Sequence, residues 1–467
     1  MKRLIKENLL VSSLLLFILM FSFYDVFFLQ KTFKITTASA QAMHNGPYGQ
    51  AGNKPRFIPV NGTDSPVQEE PVLEFIKQNL RRGIVPLWNP HQACGYPLIA
   101  AIEIGMFFPL NLIMYLLPEF FAWDILILAR FLLGSILTYR LMRTLRFQKI
   151  PALVSAVAFM LSGPMVLLQY WTANVDILLP LVLIGMERLI RNLTRFNIAF
   201  LAVAVALTIF AGHPEHIFLV NVYAVLFFIF RTLTVVAGPH KFLKLSAGVI
   251  ASYALAVGLS ACVLFPFIQN LNSEFWHGHP PLVGLLNEET RGRILSLALP
   301  YFFNNVPLTY DFEFSGWWGG YLGTLPLAFS FLSLWKNQRR GLNYFFFVLG
   351  FLILSKAYGF FYINWIGYLP VFSLCRYAIH TPHLAALTTA ILAGMGARAI
   401  LSEKKLFCKG LIFSAGLLGW AVFHLIAYRE TLRTGIALNA VYLAAAVLFL
   451  FQLILWVKDR KILNART

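Results

Sequence analysis

Long apolar stretches alternate with short polar connections along most of the chain. Twelve of them approach or reach the roughly 20 residues that one helix needs to cross a membrane. They run at about 8–29, 122–142, 151–170, 177–190, 197–212, 217–235, 245–268, 317–335, 343–362, 380–400, 410–428 and 436–457. The pattern predicts an all-α polytopic membrane protein with about twelve transmembrane helices, forming a single integral-membrane domain over residues 1–467.

The composition of the chain excludes most other classes of protein. Of its 467 residues, 58% are hydrophobic and only 12% are charged, whereas an average soluble domain carries about 25% charged residues. A soluble globular protein is therefore excluded, and so apolar a chain also excludes intrinsic disorder. The four cysteines form no CxxC pair, which argues against a zinc ribbon or a disulfide scaffold.

The net charge of +18 divides unequally between the two sides of the predicted membrane domain. Assigning alternate connections to opposite sides places 24 of the 38 Lys and Arg residues on one side, with four of the 20 acidic residues. That side then carries +20 and the other −2, so the positive-inside rule makes the basic side cytoplasmic. Both termini fall on it, with the first apolar run as an uncleaved span. The basic excess indicates orientation in a lipid bilayer, and no nucleic-acid partner is expected.

Two connections on the non-cytoplasmic side are long, over residues 30–121 and 269–316, so any chemistry is expected to face outward. In the first, apolar residues recur at helical spacing: Val72, Phe75, Ile76 and Leu80. Polar residues fall on the opposite face: Glu74, Lys77, Gln78 and Arg81. The pattern ends at Gly83 and predicts an amphipathic helix on the outer membrane surface.

Carboxylates near this helix and in the first span are candidate catalytic groups. Asp64 precedes the helix, where the positive end of the dipole keeps a carboxylate ionised, so it could act as a base or only as a cap. Glu69 and Glu70 could bind a divalent cation such as Mg²⁺ or Mn²⁺ together with Asp64, but we expect them to form a solvated face. Asp25 is an intramembrane carboxylate near the outer end of the first span, where such a group is costly and often functional.

Several short motifs resemble those of one bacterial family. They are RRGIVPLWNP (81–90), GYPL (95–98), FFPLN (107–111), TANVDILLPLVL (172–183), AGHPEH (211–216), LFPFIQNL (264–271), LALPYFF (297–303), GGYLGTLPL (319–327) and RYAIHTPHL (376–384). In this order they resemble the YfhO-like membrane proteins, which are grouped with the GT-C superfamily of polytopic glycosyltransferases. The resemblance covers most of residues 60–400. It departs from the family at Gln269, Ala101 and Glu103, where the family usually has Glu, Asn and Gln.

The resemblance implies inverting transfer of a sugar from a polyprenyl-phosphate-linked donor. The acceptor would be a cell-envelope glycan, polymer or lipid outside the bacterial cytoplasmic membrane. Such chemistry needs a carboxylate base for the acceptor hydroxyl and a cation for the departing lipid phosphate. The family's acidic residue of the first loop maps onto Asp64, with Asp25 as the second candidate. Arg376, which matches a family arginine, is the first choice for the phosphate, and Lys356 is the next.

Other polar residues near the predicted outer ends of spans could bind the substrate. His213 and Glu215 flank Pro214, and His216 begins the next span. A tight outer hairpin explains Gly212 and Pro214 structurally, while two histidines and a glutamate there also suit a phosphate or sugar site. Asp176 and Glu103 belong to the same layer and could hydrogen-bond sugar hydroxyls or pair with Arg130. No metal ligand set is assigned.

Two other functions remain open. Twelve spans with both ends inside is also a common plan for a transporter, here a flippase of lipid-linked glycans. Coupled transporters keep ionisable residues near the bilayer midplane, whereas the carboxylates of this chain gather in the outer layer, which favours surface chemistry. The departures at Gln269 and Ala101 also leave room for a family member that has lost catalysis and serves assembly.

Overall fold

The computed structural model describes residues 2–33, 68–92, 94–167, 173–236, 238–271, 293–300, 302, 320–335, 341–403, 406–427 and 434–464. Over these residues the chain is almost entirely helical. Its one β-structure is a hairpin in which β1 (Trp88–Asn89) pairs antiparallel with β2 (Tyr96–Pro97). The all-α fold class expected from the sequence is confirmed.

The described residues form nineteen helices. The first ten are α1 (Lys2–Ser22), α2 (Tyr24–Phe28), α3 (Glu70–Arg81), α4 (Leu112–Leu116), α5 (Glu119–Thr144), α6 (Lys149–Met160), α7 (Gly163–Leu167), α8 (Ala173–Asp176), α9 (Leu179–Arg191) and α10 (Arg195–Phe210). They continue as α11 (Pro214–Val235), α12 (Pro239–Leu259), α13 (Ala261–Leu271), α14 (Thr324–Ser333), α15 (Leu342–Ala357), α16 (Tyr377–His380), α17 (Pro382–Ser402), α18 (Phe407–Ala427) and α19 (Thr434–Asn464). Short 3₁₀ turns lie at Ile102–Ile104, Pro109–Asn111, Arg293–Leu297, Asn364–Tyr368 and Phe372–Leu374.

Six helices within the described residues are long and apolar enough to cross a membrane. They contain the segments Phe121–Thr144, Pro214–Val235, Pro239–Leu259, Pro382–Ser402, Phe407–Ala427 and Ala437–Asp459. Six more apolar helices are shorter, at 10 to 17 residues. The membrane class is therefore supported, while the number of twelve spans stays a prediction.

The segment expected to form one span over 245–268 is divided into two helices. The first, α12, ends at Leu259, and α13 begins at Ala261 and contains Pro266. Between them Ser260 leaves the helical conformation, and its Oγ donates to the carbonyl of Ala256 at 2.8 Å. The Ser260 amide also keeps its hydrogen bond to that carbonyl, at 3.0 Å, so the chain turns at Ser260 without losing it, and Pro266 removes one backbone donor inside α13.

The chain divides into two compact units. Unit 1 comprises Met1–Thr144 and Gln169–Gly278, and unit 2 comprises Leu145–Leu168 and His279–Thr467. In unit 1, α9 packs on α5, α10 and α11, while α10 also packs on α12. In unit 2 the small-residue helix α17 is the central element and packs on α6, α14 and α15. Ser330 on α14 donates its hydroxyl to the carbonyl of Thr389 on α17 at 3.0 Å, which joins those two helices at close range.

The first-loop helix predicted from hydrophobic spacing is present as α3. Pro71 occupies its first turn, where a missing N–H costs nothing, and Val72 and Ile76 are buried against the protein. One predicted feature of α3 is wrong. The sequence predicts Lys77 on the polar face of the helix, but this residue is only 4% exposed. Its Nζ donates to the carbonyl of Leu117 at 2.9 Å, so the lysine reaches a backbone acceptor beyond α4.

A buried ion-pair cluster joins the C-terminal parts of α9 and α11. Glu187 on α9 is fully buried, and Arg231 on α11 donates Nε and Nη2 to its two carboxylate oxygens at 2.9 and 2.8 Å. Arg191, one turn after Glu187, donates to the same carboxylate at 2.8 Å and to the carbonyl of Thr144 at 2.6 Å. Paired arginines compensate the desolvation of the buried carboxylate, so this cluster fixes the relative position of both helices.

Candidate functional site

A chain of buried polar side chains crosses the interior of unit 1. Arg130, near the middle of α5, donates Nε to Oδ1 of Asn174 on α8 at 2.7 Å. Asn174 lies 3.5 Å from Oδ1 of Asn111, and Asn111 donates to the carbonyls of Ile104 and Gly105 at 3.3 and 2.9 Å. The three polar side chains are at most 4% exposed. They join α5, α8 and the two 3₁₀ turns of residues 102–111 in one hydrogen-bonded path.

Glu69 adds a negative charge next to this path. It is 1% exposed, stands directly before α3, and attracts the Arg130 guanidinium electrostatically. The expectation that Glu69 belongs to a solvated face is therefore wrong. A buried carboxylate requires a compensating charge, and the nearby guanidinium, which comes from a residue 61 positions later, supplies it.

A second buried contact pairs a carboxylate with a histidine. Oδ2 of Asp176, on α8, lies 2.8 Å from Nδ1 of His216, on α11, and both side chains are at most 2% exposed. An ionised carboxylate only accepts hydrogen bonds, so His216 donates through Nδ1 and keeps its proton there. In the neutral form of the ring the lone pair is then on Nε2.

His213 is held against His216 by an unusual turn. The backbone of His213 has φ 59° and ψ 95°, which non-glycine residues rarely adopt, and Pro214 follows it as the first residue of α11. Its ring meets that of His216 edge to face, with the ring centroids 4.7 Å apart. The turn between α10 and α11 thus brings the two imidazoles together.

Two glycines allow this turn to pack on the 3₁₀ turn at Ile102–Ile104. A Cβ atom on Gly212, whose φ is +92°, would stand 2.5 Å from the carbonyl oxygen of Ile102 and 2.7 Å from that of Glu103. A Cβ on Gly105, at φ +59°, would stand 2.8 Å from the carbonyl oxygen of Ala211. The two backbones therefore touch directly, and the contact places Glu103, which is partly buried, beside the histidine turn.

The predicted residues fall into separate places. Asp176, His213 and Glu103 come together in unit 1, with Glu215, partly buried, in the first turn of α11. Asp64 lies outside the described residues, five positions before Glu69 in the sequence.

Asp25 lies in α2 and forms an ion pair with Lys31. Its carboxylate raises the pKa of Lys31, through a hydrogen bond to the ammonium group. Nearby, Asp124 at α5 accepts hydrogen bonds from the Thr32 hydroxyl at 2.9 Å and the Phe33 amide at 2.7 Å. The described contacts of Asp25 thus anchor the chain that leaves the first helix.

The two predicted cations lie in unit 2. Lys356, near the C-terminal end of α15, is 8% exposed, donates to the carbonyl of Asn364 at 3.3 Å, and lies 4.7 Å from the ring centroid of Tyr377. Both of these partners are neutral, and in the described part of the chain no carboxylate forms an ion pair with Lys356. Arg376 is partly buried and immediately precedes Tyr377 at the start of α16.

Sequence reasoning did not select Asn111 and Asn174, and it placed His216 at the start of a span, as the second of two histidines that suit a phosphate or sugar site. All three lie inside the motifs FFPLN, TANVDILLPLVL and AGHPEH. An amide or an imidazole in an otherwise apolar stretch is a signal in itself, because a buried polar group needs a partner. What the sequence could not give is the identity of the partners, which are 40 to 63 residues away.

Comparison with known proteins identifies the family of the chain. Residues 67–465 match the family model described as "Bacterial membrane protein YfhO". No curated protein matches the chain, and no solved structure matches it either. The match extends from just before α3 through the last helix and includes every residue of the buried polar path in unit 1. The chain therefore belongs to the YfhO family of bacterial membrane proteins.

Proposed function

We propose that this protein is an inverting glycosyltransferase of the bacterial cytoplasmic membrane. It transfers a sugar from a polyprenyl-phosphate donor to a cell-envelope glycan, polymer or lipid on the extracytoplasmic face. Both termini are cytoplasmic in this proposal, and the remaining apolar segments bring the number of spans to twelve. The family membership and the six long apolar helices support the membrane setting.

The observation that carries the proposal is a set of buried polar side chains in unit 1. The set comprises the path of Arg130, Asn174 and Asn111 together with Glu69 and Asp176. In so apolar a chain, each buried amide, imidazole and charge is costly unless it is paired, and such groups commonly mark the place where a polar substrate is handled. Arg130, Glu69 and Asp176 are charged groups of this kind, and all are at most 4% exposed. In the sequence, Glu69 also follows the first-loop segment that contains Asp64.

The proposed reaction is a single displacement. Asp64 accepts the proton of the acceptor hydroxyl while the hydroxyl oxygen bonds to the anomeric carbon of the sugar. The bond from that carbon to the phosphate oxygen breaks in the same step. The lipid phosphate leaves with the bonding electron pair, and Arg376 and Lys356 bind its negative charge. Lys356 suits this role because its ammonium is buried and contacts only neutral partners in the described part of the chain.

The remaining residues bind or orient the substrates in this proposal. Asp176, His213, Glu215 and Glu103 hydrogen-bond sugar or acceptor hydroxyls. Asp25 is the second candidate for the base, although its ion pair with Lys31 favours an anchoring role. No cofactor is assigned to the transfer step.

One observation favours a second candidate, the flippase of lipid-linked glycans. Arg130 lies near the middle of α5 and is buried. Ionisable residues at that depth often line a pathway through the membrane. A cation there could follow a phosphate head group as it crosses, without any bond being broken.

A transfer assay in membrane vesicles separates these functions. Vesicles carrying the wild type, Asp64→Asn, Asp64→Ala or the control Glu74→Gln are given radiolabelled polyprenyl-phosphate sugar, and label in the acceptor is measured. Loss of a general base lowers the rate by about 10²–10⁴-fold, so both Asp64 variants should be almost inactive. The control removes the partly buried carboxylate of Glu74 on α3, which has no proposed role, and should stay active. Normal transfer by both Asp64 variants would refute the base assignment. Crossing of labelled lipid without any transfer would favour the flippase, and neither activity would favour the assembly role.

A further inference from the structure

We propose that His213 and His216 bind one divalent transition-metal ion in unit 1, with Asp176 orienting His216. This site does not depend on the proposed transfer reaction. It rests on the geometry of three buried side chains, Asp176 on α8, His213 in the turn before α11 and His216 in the first turn of α11.

The two imidazoles already lie within reach of a shared ion. Their ligand nitrogens are within 4.8 Å of each other, and the rings stand at 87° with centroids 4.7 Å apart. Two nitrogens bound tetrahedrally to Zn²⁺ at about 2.0–2.1 Å stand roughly 3.3 Å apart. Small side-chain rotations are therefore enough to close the pair around a metal.

The contact between Asp176 and His216 is the one that metal-binding histidines usually make. A histidine ligand commonly donates its second ring N–H to a carboxylate, which fixes the tautomer and makes the other nitrogen a better ligand. Here Nδ1 of His216 is 2.8 Å from Oδ2 of Asp176, so the metal would bind through Nε2. Burial of both side chains removes the competing water that would otherwise weaken this arrangement.

The backbone of His213 gives an independent indication. A residue at φ 59° that is followed by proline is strained, and strain of this kind is common at functional sites. The turn is fixed on one side by Gly212, which has no room for a Cβ, and on the other by Pro214. A glycine at position 213 would relieve the strain but would offer no side chain to contact His216. The strained backbone therefore accompanies the contact between the two imidazoles.

The donor set indicates the class of metal. Imidazole nitrogens favour Zn²⁺, Co²⁺, Ni²⁺ and Cu²⁺, whereas Mg²⁺ and Ca²⁺ prefer oxygen ligands. The inference is therefore a site for a borderline divalent ion.

Metal binding can be measured without any enzymatic assay. The protein is purified in detergent through a tag without histidine, stripped with a chelator, and titrated with Zn²⁺, with metal content measured by mass spectrometry after gel filtration. Cobalt substitution adds an optical signature of nitrogen ligands. The variants are His213→Ala, His216→Ala and Asp176→Asn, and the control is His240→Ala, which removes an exposed histidine at the start of α12.

The proposal expects one equivalent of Zn²⁺ in the wild type and in His240→Ala. Either His213→Ala or His216→Ala should bind at least tenfold more weakly, and Asp176→Asn should lose about 10–100-fold in affinity because it removes the orienting carboxylate. Wild-type protein that binds no Zn²⁺ at 100-fold molar excess would overturn the proposal, even if a variant fails to fold. Equal binding by the wild type and by folded His213→Ala or His216→Ala would overturn it as well.

Discussion

The carbonyl oxygen of Phe329 on α14 occupies the space beside Gly396 on α17. A Cβ atom on this glycine would stand 1.8 Å from that oxygen, a distance that no packed structure tolerates. The two helices of unit 2 can approach this closely only because position 396 has no side chain. Close approach through small residues is a common way in which helices associate in membranes.

Replacing Gly396 with alanine should push α14 away from α17. Overpacking of this kind typically costs about 1–3 kcal/mol, and more where backbone atoms must move. The matched control is Gly416→Ala on α18, where an added Cβ meets nothing within 4 Å. Thermal unfolding in detergent should show a clearly lower midpoint for Gly396→Ala than for the control, and equal midpoints would contradict the close contact.

Gly212→Ala tests the backbone contact that supports the histidine turn. Gly238 serves as the control because it also has a positive φ, +89°, but an added Cβ there meets nothing within 4 Å. Both variants carry backbone strain, and only Gly212→Ala adds crowding against the carbonyls of Ile102 and Glu103. Gly212→Ala should therefore be less stable than Gly238→Ala by about 1–3 kcal/mol, as measured by chemical denaturation. Equal losses for the two variants would show that backbone strain alone sets the cost.

Arg130→Gln should leave the Glu69 carboxylate buried without its nearby cation. Removing one partner of a buried ion pair typically costs about 3–5 kcal/mol. A double-mutant cycle with Glu69→Gln isolates the interaction, since the double variant removes both charges. We expect the double variant to be more stable than Arg130→Gln alone. Strict additivity of the two single effects in unfolding experiments would mean that these charges do not interact.

Lys356→Met should separate function from stability. The ammonium contacts a carbonyl and an aromatic ring, so a methionine of similar length should keep or raise the thermal midpoint. If Lys356 binds the donor phosphate, the same variant should transfer sugar at least tenfold more slowly at low donor concentration. Lys409→Met is the control, because Lys409 also stands over an aromatic ring, that of Trp335, and has no proposed role. A loss of stability without a loss of transfer would assign Lys356 to structure alone.

The sequence predicts those features of this protein that depend on local pattern. Apolar segment length gives the all-α membrane class. The spacing of Val72 and Ile76 gives α3 and its end before Gly83, whereas the sequence leaves its start open. Short motifs give the family. These features are local because they follow from residues within a few turns of each other.

Features that depend on long-range partners escape sequence reasoning. Lys77 and Glu69 have charged side chains, which by themselves favour exposure to solvent. The sequence therefore predicts both at the surface. Their burial depends on Leu117 and Arg130, which the fold brings close from 40 and 61 residues away. A lysine can extend its ammonium to a carbonyl while its stem is buried, and no periodicity reveals which carbonyl that will be.

Helix α11 carries a buried polar anchor at each end, His216 near its start and Arg231 near its finish. Fifteen residues separate them, or about 22 Å along the helix axis. A slide of one helical turn, about 5.4 Å, would break the contact with Asp176 and both bonds to Glu187 at once. Movement of α11 along its own axis would therefore break buried polar contacts at both ends of the helix. In the proposed function, a bulky lipid-linked donor would therefore enter unit 1 by movement of other segments around α11.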